Sequence, residues 1–254
     1  MVLLILRLFP YLAAIIFFIL GKTVFYWPDY WLWFFIALLL LPGVYFSLIR
    51  IKRKTKPVIA TYLYSLLFTV AGFAFLLILE NIYVINFFLL IWSFLFGLYL
   101  EAVFHDFYET DKVHIVNLNN LSLYFNILIV FFLTASLVNF SIFLNWSMVA
   151  IVCLLGLVYF FLYYWLYLKH LPERRQALIY ALIQAIVLTE LLFLLLIWPV
   201  SFYVIAILAA AIYYLMLSLT LSHIQDGNKR NAVLRTIIIF VLVVILTLIS
   251  AIWL

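Results

Sequence analysis

The chain has 254 residues, of which 71% are hydrophobic and 9% charged, and a formal net charge of +5. Its mean hydropathy is +1.35. A water-soluble domain carries about 25% charged residues, and no soluble fold can hide this much apolar surface, so the expected solvent is lipid and no nucleic-acid partner is expected. Cys153 is the single cysteine and lies inside an apolar run, which excludes an intrachain disulfide and argues against a cysteine-based metal site.

The opening run, "MVLLILRLFPYLAAIIFFILGK", has the basic residue and apolar stretch of a secretory signal. It is long, and no small-x-small cleavage site follows, so a retained first span over 3–21 is expected. A helix needs about 20 apolar residues to cross the hydrocarbon core. Further runs of that kind fall at 30–50, 58–79, 82–104, 118–138, 142–168, 177–197, 199–222 and 233–254. The expected fold is therefore an all-α, polytopic transmembrane helix bundle of about nine spans, a single integral membrane domain over 1–254.

Within the second run, Pro42-Gly43 predicts a kink, because proline removes a backbone hydrogen bond and clashes with the preceding turn. The third run places Thr61, Ser65 and Thr69 on one helical face, with Gly72 close by. That stripe either lines a polar path or lets a neighbouring helix approach closely, the commoner use of small hydroxyl residues. After the fourth run comes "LEAVFHDFYETDKVH", the densest polar chemistry in the chain. Glu101 and His105 share a face at i, i+4, and Asp106 and Glu109 follow. These four are candidate ligands for a divalent metal or partners in acid-base work. Their spacing matches no zinc signature such as His-Glu-x-x-His, and a solvated acidic loop is the plainer reading. No bound cofactor is expected.

The fifth and seventh runs echo one another. Tyr124 in "LYFNILIVFFLTASL" matches Tyr180 in "IYALIQAIVLTELL", and the Leu-Thr pair ending at Thr134 matches the one ending at Thr189. Each then leads through a tryptophan, Trp146 or Trp198, to a helix with a tyrosine pair, Tyr163-Tyr164 or Tyr213-Tyr214. Two readings stay open: repeated helical hairpins, or the chance likeness of two oily helices. If the repeat is real, Glu190 stands where the earlier hairpin has Ala135.

Glu190 is the carboxylate that needs explaining, since it falls inside the apolar stretch "LTELLFLLLIWPV". A charged group at the bilayer centre costs about 2.5–3.5 kcal/mol on insertion scales. Intramembrane acids serve proton relays or substrate sites, so Glu190, Thr189 and Gln184 are candidate binding residues, together with Thr61, Ser65 and Thr69. The alternative is a glutamic acid that ties helices together through Thr189, Gln184 or a tyrosine hydroxyl. Pro199 marks the turn into the next run, where proline suits the first turn of a helix.

Charge sets the expected orientation. With the N-terminus in the cytoplasm, all of the 14 Lys and Arg residues except Lys22 fall inside. Trp27, Trp31, Trp33, Trp146, Trp198 and Trp253 then fall at the outer interface, and the C-terminus ends outside the plasma membrane. The basic loop Arg50, Lys52, Arg53, Lys54 and Lys56 offers anionic lipids about 1 kcal/mol per residue, although its topological role already accounts for it.

The segment from Glu190 through "IWPVSFYV" to Tyr213-Tyr214, ending near Trp253, resembles a group of uncharacterised polytopic membrane proteins from candidate-phyla bacteria, and "NLSLYFN…FFLTASL" looks similar. The likeness covers roughly the second half of the chain and rests on oily and aromatic positions. It implies a multi-span topology and transfers no activity. Three functions remain: a non-enzymatic binding, transport or assembly component with membrane-protein partners; an enzyme using the cytoplasmic cluster on a lipid headgroup; and a passive structural subunit.

Overall fold

In hydrocarbon a backbone must satisfy its own hydrogen bonds, which leaves helices and closed barrels as spanning structures. The computed structural model describes residues 2–52, 58–108, 118–171, 173–224 and 229–251. Among them the chain takes the helical solution, with no strand. The helices are α1 (Val2–Tyr26), α2 (Trp31–Lys52), α3 (Val58–Leu76), α4 (Ile82–Tyr108), α5 (Leu118–Leu144), α6 (Met148–His170), α7 (Arg174–Leu196), α8 (Phe202–Ile224) and α9 (Lys229–Ser250). Seven of these, all but α2 and α3, are long and apolar enough in their described residues to cross a membrane. The described apolar stretches of α2 and α3 are shorter, Trp31–Ser47 and Thr61–Leu76. The protein is thus an all-α bundle of membrane-type helices and a multi-pass integral membrane protein. Arg53, Lys54, Lys56, Glu109 and Trp253 lie outside the described residues.

Several helix ends differ from expectation by a few residues, and two of the differences have a physical reason. The fifth helix does not stop at 138 but runs through Asn139 to Leu144. Asn139 is buried and so does not act as a polar break; the chain turns instead at Asn145, whose φ of 51° is the left-handed conformation that ends helices. The sixth helix accordingly starts at Met148 rather than 142. Pro199 stands in the turn after α7, three residues before Phe202 opens α8, rather than in the first turn of that helix. Pro42 lies inside α2, which continues through it to Lys52.

The chain divides into two compact units, Met1–Tyr124 and Phe125–Leu254. In the first, α1 packs on α4 and α2, and α2 packs on α3. Gly97 sets the approach of α4 to α1: a Cβ there would lie 3.0 Å from the Ala14 Cβ and 3.3 Å from the Pro10 carbonyl oxygen. Above that contact Phe17 meets Trp92 edge-on at 4.4 Å and stacks on Phe96 at 4.5 Å. Such ring pairs stabilise by about 0.5–1.5 kcal/mol beyond the area they bury.

In the second unit α6 and α7 pack most intimately. Small side chains permit this: Ala177, Ala181 and Ala185 line the inner face of α7, and Gly156 of α6 meets Thr189, whose Oγ1 would be 2.9 Å from an added Cβ. Small residues at the contact let backbones approach where lipid supplies no hydrophobic drive. α9 packs on α8, joined by a 2.8 Å hydrogen bond between Ser218 and Thr236.

Candidate functional site

In the first unit the hydroxyl stripe of α3 is a packing surface. Thr61, Ser65 and Thr69 are all buried. Ser65 donates to the Tyr62 carbonyl at 2.8 Å and Thr69 to the Ser65 carbonyl at 2.9 Å, so both hydroxyls turn back onto their own helix. The stripe receives large rings from α4. Tyr99 donates its hydroxyl to the Thr61 carbonyl at 3.2 Å, and Trp92 lies against Gly72, where an added Cβ would come within 2.0 Å of the indole. The Trp92 Nε1 is buried with no hydrogen-bond partner, so this ring is held by packing and by its contacts with Phe17 and Phe88.

At the end of α4, Glu101 and His105 do come together. The Tyr11 hydroxyl donates to Glu101 Oε1 at 2.7 Å, and His105 Nε2 lies 3.8 Å from the same oxygen. Both side chains are half-buried, with 31% of Glu101 and 21% of His105 exposed, so α1 closes over part of this pair. Asp106 is half-buried beside them, and no group of three His, Cys, Asp or Glu side chains among the described residues is placed to hold a metal ion.

The second unit holds a connected polar core. Tyr159, Tyr163 and Tyr167 follow one another at four-residue steps on α6 and are fully buried. Each meets a different partner. Tyr159 shares a 2.8 Å hydrogen bond with Thr134 of α5. Tyr163 stacks on Tyr213 of α8 with centroids 4.4 Å apart and donates to the Tyr213 carbonyl at 3.4 Å. Tyr167 donates to Gln184 Oε1 at 2.5 Å, and the Gln184 Nε2 donates in turn to Thr220 Oγ1 and, at 3.3 Å, to the Met216 carbonyl. Gln184 therefore ties α6, α7 and α8 together. Asn126 of α5 donates from Nδ2 to the Tyr213 hydroxyl at 3.0 Å, while its Oδ1 takes no partner although the residue is fully buried.

Gln184 and Glu190 thus part company. Gln184 points into the core; Glu190 is exposed, about a third of a turn away around α7. Thr189 does not bond Glu190 but donates to the Ala185 carbonyl at 2.6 Å, against Gly156. The hairpin echo is mixed in the same way. Its paired tyrosines Tyr163 and Tyr213 meet face to face, yet Ala135 is buried and Glu190 is not. Sequence reasoning missed the Tyr159-Tyr163-Tyr167 ladder and Asn126. The four-residue spacing of the tyrosines was a readable signal, and the rule that picks out Glu190, a polar residue inside an apolar run, applies equally to Asn126 but was not applied to it.

Beyond the chain itself, no family model, no curated protein and no solved structure matches it.

Proposed function

We propose that this protein is a non-enzymatic assembly component of the plasma membrane, with its N-terminus in the cytoplasm and its C-terminus outside. The distribution of Lys and Arg supports that orientation, as does the exposure of Trp27, Trp31, Trp33, Trp146 and Trp198 at helix ends. In this reading the basic residues Arg50, Lys52, Arg53, Lys54 and Lys56 rest against anionic headgroups on the inner face.

The observation that carries the assembly reading is the direction of Glu190. The polar groups that stabilise the bundle, Gln184 above all, are turned inward and bonded, whereas this carboxyl is turned outward among apolar side chains. Hydrocarbon offers it no hydrogen-bond partner, and another protein does. Mild-detergent extraction from the native membrane, followed by mass measurement of the detergent-corrected particle, tests this. The expected particle exceeds the 29.9 kDa of the chain. Recovery of the single chain alone, under conditions that preserve known membrane complexes, would overturn the reading.

A further inference from the structure

Asn126 and Tyr213 make a contact that the two side chains cannot complete by themselves. Both are fully buried, and both lie deep in their helices. At the usual rise per residue, Asn126 is about 12 Å from the Leu118 end of α5, and Tyr213 is about 17 Å from either end of α8. Asn126 Nδ2 donates to the Tyr213 hydroxyl at 3.0 Å, so that oxygen is the acceptor and its own proton remains to be donated. The hydroxyl makes no other hydrogen bond among the described residues, and Asn126 Oδ1 receives none. One proton and one acceptor are therefore left over on the same pair. Turning the amide over does not help. Tyr213 would then donate to Oδ1, and both protons of the amide nitrogen would be stranded. A buried polar group without a partner forfeits the hydration it had in water, and lipid supplies no substitute.

Those two deficits define the chemistry of whatever completes the contact: it accepts one hydrogen bond and donates another. A cation would serve Oδ1 and leave the Tyr213 proton unmatched; an anion would do the reverse. A lipid headgroup is too large for a pair with no exposed surface. Water donates and accepts, and it is the smallest group that does both. Trp92 provides the contrast. Its Nε1 is also buried without a partner, but the rings packed on it are those of Phe17, Phe68 and Phe88. They offer a water no second partner, and buried waters are held by two to four hydrogen bonds.

We propose that a single water molecule is bound between α5 and α8, accepting from the Tyr213 hydroxyl and donating to Asn126 Oδ1. With the bond from Nδ2 it closes a ring of three hydrogen bonds, from Asn126 to Tyr213, to the water and back to Asn126. This ring joins α5 to α8 beside the stack of Tyr163 on Tyr213, so the water is part of the core of the second unit. The site lies inside one chain and stands whether or not that chain has a partner.

Brief X-ray irradiation of the full-length protein in detergent generates hydroxyl radicals from water, and a buried ring is oxidised only where a water is bound beside it. Mass spectrometry of the digested protein then reads each ring. Tyr213 is expected to be labelled about tenfold faster than Trp92, although indole is the more reactive ring, because only Tyr213 has a bound water. Asn126→Leu removes the leftover acceptor, and it is expected to lower labelling of Tyr213 at least about fivefold. Near-ultraviolet circular dichroism checks that this variant keeps its fold. Labelling of Tyr213 no faster than that of Trp92 would overturn the proposal, as would unchanged labelling of Tyr213 in folded Asn126→Leu. Where that variant does not fold, the comparison of Tyr213 with Trp92 in the parent protein decides alone.

Discussion

Gly72→Ala is expected to be the most damaging single-methyl change in the first unit, costing roughly 3 kcal/mol or more. The new Cβ would lie 2.0 Å from Trp92 Cε2, 2.2 Å from Nε1 and 2.4 Å from Cζ2, so the indole itself must move. The indole is fully buried against Phe17, Phe68 and Phe88, which limit its movement. Overpacking a close-packed core typically costs about 1–3 kcal/mol, and rigid aromatic neighbours place this site at the upper end. The clash also dictates a rescue. Trp92→Leu alone loses ring packing but no hydrogen bond, because the Nε1 has no partner to lose. In that background Gly72→Ala should cost less than about 1 kcal/mol, giving a coupling well above the few tenths expected of independent sites. Thermal unfolding of the four proteins in detergent measures the cycle. Additive costs would mean that the glycine is not there to admit the indole.

The second large effect is expected at Gln184→Leu, at about 2–3 kcal/mol. Its carbonyl accepts from Tyr167 and its amide donates to Thr220 and the Met216 carbonyl, so leucine strands groups on two neighbouring helices at once. A buried polar group left without its partner costs about 1–3 kcal/mol, and the unfolded-in-membrane reference keeps the sum below a simple total. Tyr167→Phe in the leucine background should recover part of the loss by removing one stranded hydroxyl. Near-ultraviolet circular dichroism is a suitable monitor, since Tyr163 stacks on both Tyr167 and Tyr213 and loosening would change their signal. A neutral Gln184→Leu would show that the side chain fills space without tying the helices.

How legible this was in the sequence depends on the kind of signal. The helices were readable because hydrocarbon demands long apolar runs, and the runs at 82–104 and 177–197 became α4 and α7 with small changes at their ends. Boundaries failed where a polar residue looked like a break and was not. Asn139 is carried into the core, and the stop is the left-handed Asn145 six residues later. The candidate sites were harder, because helix facing is nearly invisible when both faces are apolar. In α7 the side of Gln184 and the side of Glu190 are both apolar with one polar residue each, and only the small side chains Ala177, Ala181 and Ala185 mark the inner one. The hydroxyls of α3 were visible as a stripe, but their carbonyl partners on the same helix belong to the folded backbone.

In the proposed orientation the chain crosses the bilayer with its cationic connections inside. Substituted-cysteine labelling tests this most directly, using Cys153→Ser protein in intact cells and a membrane-impermeant maleimide. Ser147, between α5 and α6, and Glu173, before α7, sit at opposite ends of the intervening helix α6, and both are exposed. Ser147→Cys is expected to react from outside and Glu173→Cys only after the cells are opened. The reverse pattern would invert the protein, and equal labelling of both in intact cells would contradict a membrane crossing by α6 altogether.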